Sequence, residues 1–186
     1  MSNGYIDAAT GTSLETKPED MTQLRGNLLV KKTHPQIVFR GKLDSLMAEV
    51  LEVQLIAQEQ GELQIIADLQ EMLDWLRKIM AAEVRDEPLE ELRMLGLDAG
   101  VLRYMSQDVK NAFGIEHPVP DYRMGKLCVS LNSLRTQVRE TELAAIHALP
   151  GRKDIIHAMN RLSSGVYVIF CRKLSGWYER QQGGEA

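Results

Sequence analysis

The chain has 186 residues, of which 44% are hydrophobic and 26% are charged, and its formal net charge is −4. This length and composition predict one domain with a sizeable core, and the acidic balance without any run of Lys and Arg argues against a dedicated nucleic-acid-binding protein. We see no signal peptide and no apolar run long enough to cross a membrane, so we expect a cytoplasmic protein.

The first part of the chain changes character near residue 33. Residues 1–33 are rich in Gly, Thr, Ser and charge and show no sustained period, which predicts a mobile N-terminal arm. A helix start follows at Thr33-His34-Pro35, and the apolar period continues to a stop at Gly61. A second amphipathic helix is predicted for residues 62–84.

The pattern of the second half of the sequence predicts three more helices. Asp98 is a suitable N-cap for a helix that runs to Asn111. Helices resume at Lys126, break at Pro150-Gly151, and run again over residues 153–177, before a disordered tail at 179–186. No segment has the pattern of a strand. We therefore predict an all-α protein, an antiparallel five-helix bundle of the ferritin-like up-down kind, with its domain at 34–178.

Several familiar sites are missing from the sequence. There is no glycine-rich phosphate loop, no Cys-x-x-Cys and no Glu-x-x-His pair, which argues against a common nucleotide loop, a zinc site or a di-iron site. Cys128 and Cys171 lie in apolar helical patterns and are expected to be reduced core residues. For His147 and His157 we favour ordinary helix positions over ligation.

The helix after Lys126 carries charged residues next to its apolar stripe. Arg135, Arg139 and Glu142 share one face at the spacing i, i+4, i+7. Arginines provide permanent charge and planar donors, so this pair is a candidate polyphosphate clamp. The alternative is a solvated face with an Arg139–Glu142 ion pair, which contributes only ~0.2–0.5 kcal/mol.

The last helix has short polar side chains on one flank, namely Asn160, Ser163 and Ser164, followed by Tyr167. Gly165 within it costs about 1 kcal/mol relative to alanine, which indicates close approach of another group or a ligand. In the first helix, Asp44 lies one residue from the apolar face. It is either solvated, paired with Arg40, or placed to lock one of the clamp arginines.

These motifs together resemble the ATP:cob(I)alamin adenosyltransferases, and most closely the ethanolamine-utilization branch. That family has an Arg-Thr-x-x-Arg-Arg-x-Glu-Arg helix and a Tyr-Leu-Asn-Arg-Leu-Ser-Asp helix. The matching stretches here are Arg135-Thr-Gln-Val-Arg-Glu-Thr-Glu142 and Ala158-Met-Asn-Arg-Leu-Ser-Ser164. Upstream, Lys32 to Asp44 is similar to the family's Lys-x-x-x-Arg-x-x-x-x-Gly-x-x-Asp-Glu-Leu.

The resemblance implies a fold, an activity and a set of site residues. It implies a five-helix bundle that assembles as a homotrimer with sites between subunits, and transfer of the 5′-deoxyadenosyl group of ATP to the cobalt of cobalamin with Mg²⁺ and release of triphosphate. Catalytic roles fall to Arg135, Arg139 and Asp44, which would orient Arg135. Substrate binding falls to the following residues: Glu142, Asn160, Ser163, Lys32, Thr12 and Ser13.

The resemblance also implies partners and a location. A cobalamin reductase and an adenosylcobalamin-dependent lyase or mutase are expected, in the cytoplasm or within a bacterial microcompartment. The sequence departs from the family at Glu140, Leu143 and Ser164, although the ethanolamine branch resembles it there. The cysteine-rich segment common in that branch is missing, so we predict no structural metal. The alternative function is a non-catalytic cobalamin carrier or scaffold.

Overall fold

The computed structural model describes residues 4–182, and within that range the chain is mainly helical. Its helices are α1 Pro35–Glu59, α2 Leu63–Arg85, α3 Ala99–Gln107, α4 Val109–Phe113, α5 Gly125–Ala148, α6 Lys153–Leu174 and α7 Trp177–Gln182. None of the helices in the described range is both long and apolar enough to span a membrane.

The four long helices form a closed antiparallel bundle. Helix α1 packs against α2 and α5, and α6 packs against the same two helices from the other side. Fully buried residues recur seven positions apart, or about two helical turns, on each of these helices. They are Leu43 and Val50 on α1, Leu69 and Leu76 on α2, Leu131 and Val138 on α5, and Leu162 and Ile169 on α6.

Helices α3 and α4 occupy the place of one predicted helix. The predicted N-cap is observed, because Asp98 Oδ1 accepts a hydrogen bond from the Val101 amide at 2.9 Å. The predicted continuation to Asn111 is wrong, since Asp108 interrupts the helix and its side chain caps α4. Helix α3 packs against α6, which brings the end of α3 next to the polar flank of α6.

The prediction of a purely helical chain without strands is wrong. The strands are β1 Tyr5–Asp7, β2 Ser13–Leu14, β3 Met21–Arg25, β4 Leu28–Lys31, β5 Arg93–Met94 and β6 Leu97–Asp98. The first four form a sheet in the order β2-β1-β4-β3, with β1 parallel to β4, and the last two form a hairpin. Strands of two to five residues are too short to show a clear alternation in the sequence.

The N-terminal sheet therefore replaces the irregular arm predicted for residues 1–33. Buried Met21, Leu29 and Val30 anchor it on the protein. At the other end of the chain, residues 179–186 were predicted to be a disordered tail, but helix α7 includes the first residues of that segment. Residues 1–3 and 183–186 of those two segments lie outside the described residues.

A buried ion pair joins α1, α2 and the sheet. Arg40 Nε donates to Glu83 Oε2 at 2.5 Å, and its Nη2 donates to the Leu24 carbonyl at 3.1 Å. Because Glu83 is fully buried, this pair fixes the sheet at the end of the bundle where α1 begins and α2 ends. A bundle of four long helices with short helices and two small sheets thus stands where five bundle helices were predicted.

Candidate functional site

A polar cleft of about 290 Å³ opens between α3, the connection from α4 to α5, and helices α5 and α6. Its lining consists of Ser106, His117, Arg135, Arg139, Ser163, Ser164 and Tyr167. An adjoining recess of about 350 Å³ shares part of this lining and adds Gln107, Glu142, Leu143 and Asn160. The two polar motifs predicted on separate helices therefore line one continuous depression.

Arg135 is held in this cleft by an aromatic ring. Its guanidinium carbon lies 5.0 Å from the centroid of the Tyr167 ring. Arg135 Nε is buried and has no hydrogen-bond partner within residues 4–182. This cation–π contact supports the guanidinium without neutralising its charge, so the group can attract an anion.

Arg139 lies one turn further along α5 and is exposed. In the described part of the chain it forms no ion pair, so the predicted alternative of an Arg139–Glu142 pair is not observed. Glu142 binds Asn160 instead, whose Nδ2 donates to Glu142 Oε1 at 2.7 Å. Two adjacent arginines without a carboxylate partner among the described residues are suited to binding a polyphosphate.

Asn160 is bonded on both sides of its amide. While Nδ2 donates to Glu142, Oδ1 accepts a hydrogen bond from Arg161 Nη2. Arg161 is only 6% exposed. Burial lowers the pKa of Arg161, nearby Arg103 lowers it further, and Glu142 raises it. Glu142 Oε2 makes no hydrogen bond within the described range and remains available to a ligand.

His117, which no motif of the sequence singles out, links the α4–α5 connection to the cleft. Its Nε2 lies 3.3 Å from the Gln107 carbonyl and its Nδ1 lies 3.0 Å from the Tyr167 hydroxyl. A carbonyl only accepts, so the Nε2 of neutral His117 donates and its Nδ1 accepts the Tyr167 proton. Burial raises the pKa of Tyr167 to about 12, so this hydroxyl keeps its proton.

The contacts that link His117 to Tyr167 and Tyr167 to Arg135 could hardly be predicted from the sequence. Tyr167 is visible on the polar flank of α6, but no spacing rule connects it with His117, which is distant in sequence. Ser106 and Ser164 are likewise distant in sequence, and the fold brings their hydroxyl oxygens to within 3.3 Å of each other.

Asp44 does not join this cleft within a single chain. It is exposed on α1 and makes no side-chain hydrogen bond or ion pair with any residue of the described range. The predicted alternative of an Asp44–Arg40 pair is not observed, because Arg40 binds Glu83. Nearby, Lys42 Nζ lies 3.6 Å from Glu140 Oε2 and links α1 to α5.

The N-terminal candidates also lie apart from the cleft. Thr12 and Ser13 are exposed on and beside β2, and exposed Lys32 follows β4. A separate cavity of about 300 Å³ lies between the sheet and the start of α1. It is lined by Asp7, Ala8, Ala9, Val30, Lys31, Thr33 and His34.

No cluster of three His, Cys, Asp or Glu side chains suitable for a metal occurs within residues 4–182. Cys128 and Cys171 are free and buried, as predicted. Burial raises the pKa of Cys171 to about 12, which makes it a poor nucleophile. Within the cleft itself, Arg135 and Arg139 are suited to binding phosphate or carboxylate groups.

Comparison with known proteins shows the family of this chain. The family model described as cobalamin adenosyltransferase matches residues 12–173. The chain is 35% identical over 159 residues to the corrinoid adenosyltransferase EutT of Salmonella typhimurium (strain LT2) and likewise to EutT of Escherichia coli (strain K12).

Each of these matches covers 82% of this chain but 58% of the relative, so the chain spans less than two thirds of the length of the curated relatives. No solved structure matches the chain. Because the family model covers most of the sequence, including both polar motifs, this chain belongs to the cobalamin adenosyltransferase family.

Proposed function

We propose that this protein transfers the 5′-deoxyadenosyl group of ATP to the cobalt of reduced cobalamin and releases triphosphate. The observation that carries the proposal is the pair Arg135 and Arg139, which line one cleft with Ser163 and have no carboxylate partner in the described chain. The family and the EutT relatives support the same reaction. A non-catalytic cobalamin carrier or scaffold would have no use for a cleft of this charge.

The proposed reaction requires the protein to position its two substrates, and it involves no proton transfer. The cobalt(I) of the corrinoid substrate supplies the electron pair that forms the bond to the 5′-carbon, and the bond from that carbon to the phosphate oxygen breaks. Triphosphate leaves with the bonding pair. Arg135 and Arg139 stabilise the charge on the leaving group, and the stack on Tyr167 holds Arg135 in place before the reaction.

Mg²⁺ would accompany the nucleotide rather than occupy a cage made by the protein. Magnesium commonly binds through one or two carboxylates together with substrate phosphates. The recess has one such carboxylate, Glu142, with Oε1 engaged by Asn160. This donor set fits an ion held mainly by the triphosphate. The ion would neutralise phosphate charge, while Asn160 and Ser163 would bind the nucleotide.

Asp44 gains a role in the proposal if the sites lie between subunits of a homotrimer. Its carboxylate is exposed and has no partner among residues 4–182, which supports contact with Arg135 of a neighbouring subunit. Thr12, Ser13 and Lys32 would likewise close over the triphosphate from a neighbouring sheet. Coexpression of Asp44→Asn with Arg135→Ala subunits tests this. Mixed trimers would contain some intact sites and regain activity, whereas a site within one chain would stay inactive.

The proposed reaction also defines partners. A cobalamin reductase must supply cobalt(I), and an adenosylcobalamin-dependent lyase or mutase would use the product, in the cytoplasm or within a bacterial microcompartment.

The first experiment is an anaerobic assay with chemically reduced cobalamin, Mg²⁺ and ATP. Loss of the cobalt(I) absorbance together with a light-sensitive product would establish the transfer. A folded protein that binds cobalamin without forming this product would instead be a carrier.

A further inference from the structure

Arg161 is the buried cation closest to the cleft that the proposed reaction does not use. It is only 6% exposed and is not among the cleft-lining residues. A buried charge is costly unless it is paired. Its Nη2 contact in the described chain is the Oδ1 atom of Asn160, a neutral group, rather than a carboxylate. Packing alone gives no reason to keep an arginine at this position.

The Asn160 amide explains what a guanidinium contributes here. An asparagine side chain can turn by a half rotation that exchanges its oxygen and its NH₂ group. A guanidinium only donates hydrogen bonds and a carboxylate only accepts them. With Arg161 on one side and Glu142 on the other, a single orientation satisfies both neighbours, in which Oδ1 faces Arg161 and Nδ2 faces Glu142.

The flipped amide would place Oδ1 against the Glu142 carboxylate and Nδ2 against the Arg161 guanidinium, so two acceptors and two donors would face each other. Arg161 thus holds the oxygen side of the amide while Glu142 holds its nitrogen side. Glu142 and Asn160 both line the recess next to Arg139. We propose that Arg161 is a positioning residue, which fixes the amide of Asn160 and through it the carboxylate of Glu142. The inference rests on the proposed function, because that function makes a nucleotide the ligand of this recess.

The test compares two buried arginines of the same helix. Arg172 is 7% exposed on α6, stacks on Trp177 at 4.3 Å and lies far along the helix from Asn160. We expect Arg161→Met to raise the dissociation constant for Mg-ATP about tenfold, because it removes a hydrogen bond made by a charged group. Arg161→Lys should retain most of the affinity, and Arg172→Met should leave it unchanged. Equal weakening by both Met variants would overturn the proposal.

A double-mutant cycle asks whether Arg161 acts through Asn160. In an Asn160→Ala background, adding Arg161→Met should weaken Mg-ATP binding by less than about twofold, since the amide that Arg161 orients is gone. Independent effects that multiply would show a merely structural arginine and would also overturn the proposal.

Amide exchange gives a measurement that needs neither nucleotide nor turnover. In the unchanged protein the Asn160 Nδ2 protons should exchange with solvent at least about tenfold more slowly than those of Asn132, whose side chain makes no hydrogen bond in the described chain. Similar rates would overturn the positioning role, even if Arg161→Met does not fold. If the unchanged protein fails to bind Mg-ATP, the proposed function fails, and the exchange rates still test whether the Asn160 amide is held in place, as the positioning role of Arg161 requires.

Discussion

Tyr167 lies beneath Arg135, with the guanidinium carbon 5.0 Å from the centroid of its ring, and its hydroxyl is 3.0 Å from His117 Nδ1. One aromatic side chain thus connects a candidate phosphate-binding arginine on α5 with the irregular connection that precedes α5. The stack contributes roughly 0.5–2 kcal/mol, depending on how much water is excluded. The geometry of the cleft therefore depends on a residue that binds no phosphate itself.

Two substitutions separate the roles of the Tyr167 ring and hydroxyl. Tyr167→Leu removes the stack and should weaken Mg-ATP binding several-fold, up to about tenfold, because Arg135 loses its support. Tyr167→Phe keeps the ring and should retain nearly all of the affinity, although it releases His117. Isothermal titration of both variants measures this. Equal losses would show that the hydroxyl, rather than the stack, positions the site.

Arg139→Ala should abolish transfer without harming the fold. The side chain is exposed and forms no ion pair in the described range, so the free energy of unfolding should stay within about 0.5 kcal/mol. Arg77→Ala provides the control for removal of an exposed arginine from a helix, and the ion pair of Arg77 with Asp74 on α2 contributes at most about 1 kcal/mol. Urea denaturation and the anaerobic transfer assay together check the prediction. A large loss of stability would identify Arg139 as structural.

Gly165 lies directly against the side chain of Met94. A Cβ atom added at Gly165 would lie 2.8 Å from Met94 Sδ, and Met94 is only 1% exposed. Gly165→Ala should therefore lower the free energy of unfolding by about 1–3 kcal/mol through overpacking. Gly41→Ala is the control within α1, because nothing lies within 4 Å of its added Cβ. That change should raise stability by up to about 1 kcal/mol. A loss of stability in Gly165→Ala together with a gain in Gly41→Ala, measured by thermal unfolding, would confirm the explanation. Stability changes in the same direction would contradict it.

The Arg40–Glu83 pair should be essential for stability. Glu83 has a fully buried side chain that accepts from Arg40 and also from Gln36 Nε2 at 3.0 Å. Removing its charge leaves Arg40 without its carboxylate partner, so Glu83→Gln should cost about 3–5 kcal/mol. The corresponding change in the exposed pair of Lys78 and Glu90, Glu90→Gln, should cost at most about 1 kcal/mol. Comparable losses in chemical denaturation would argue against the burial explanation.

Asp154 should contribute to acid sensitivity. Hydrogen bonds from Arg152 lower the pKa of the Asp154 carboxyl well below its ordinary value, with a further contribution from the Leu89 amide. A carboxyl whose pKa is lowered by folding stabilises the protein above its unfolded pKa of about 4 and loses that contribution as the pH falls. Asp154→Asn should therefore lower stability at pH 7 and flatten its decline below about pH 4. Urea unfolding at pH 7 and pH 3.5 measures both effects. The prediction is contradicted if the free energy of unfolding falls as much between these two pH values in Asp154→Asn as in the unchanged protein.

Local periodicity explains what could be predicted. Helix positions and buried faces depend on residues three and four apart, so the bounds of α1, α2, α5 and α6 lie within a few residues of the predictions. The same spacing placed Arg135, Arg139 and Glu142 on one face of α5. The very short N-terminal strands gave no such pattern, because their pairing joins segments that are separate in sequence.

The sequence by itself determined the four long helices, the motif residues and the family resemblance, all of which follow from short-range order along the chain. Tertiary structure decided that Asn160 binds Glu142 and Arg161, that Arg40 binds Glu83 rather than Asp44, and that Tyr167 supports Arg135. Each of these contacts depends on the rotation and depth at which whole helices pack together. That arrangement is set by the summed packing of the core, and no local spacing rule contains it.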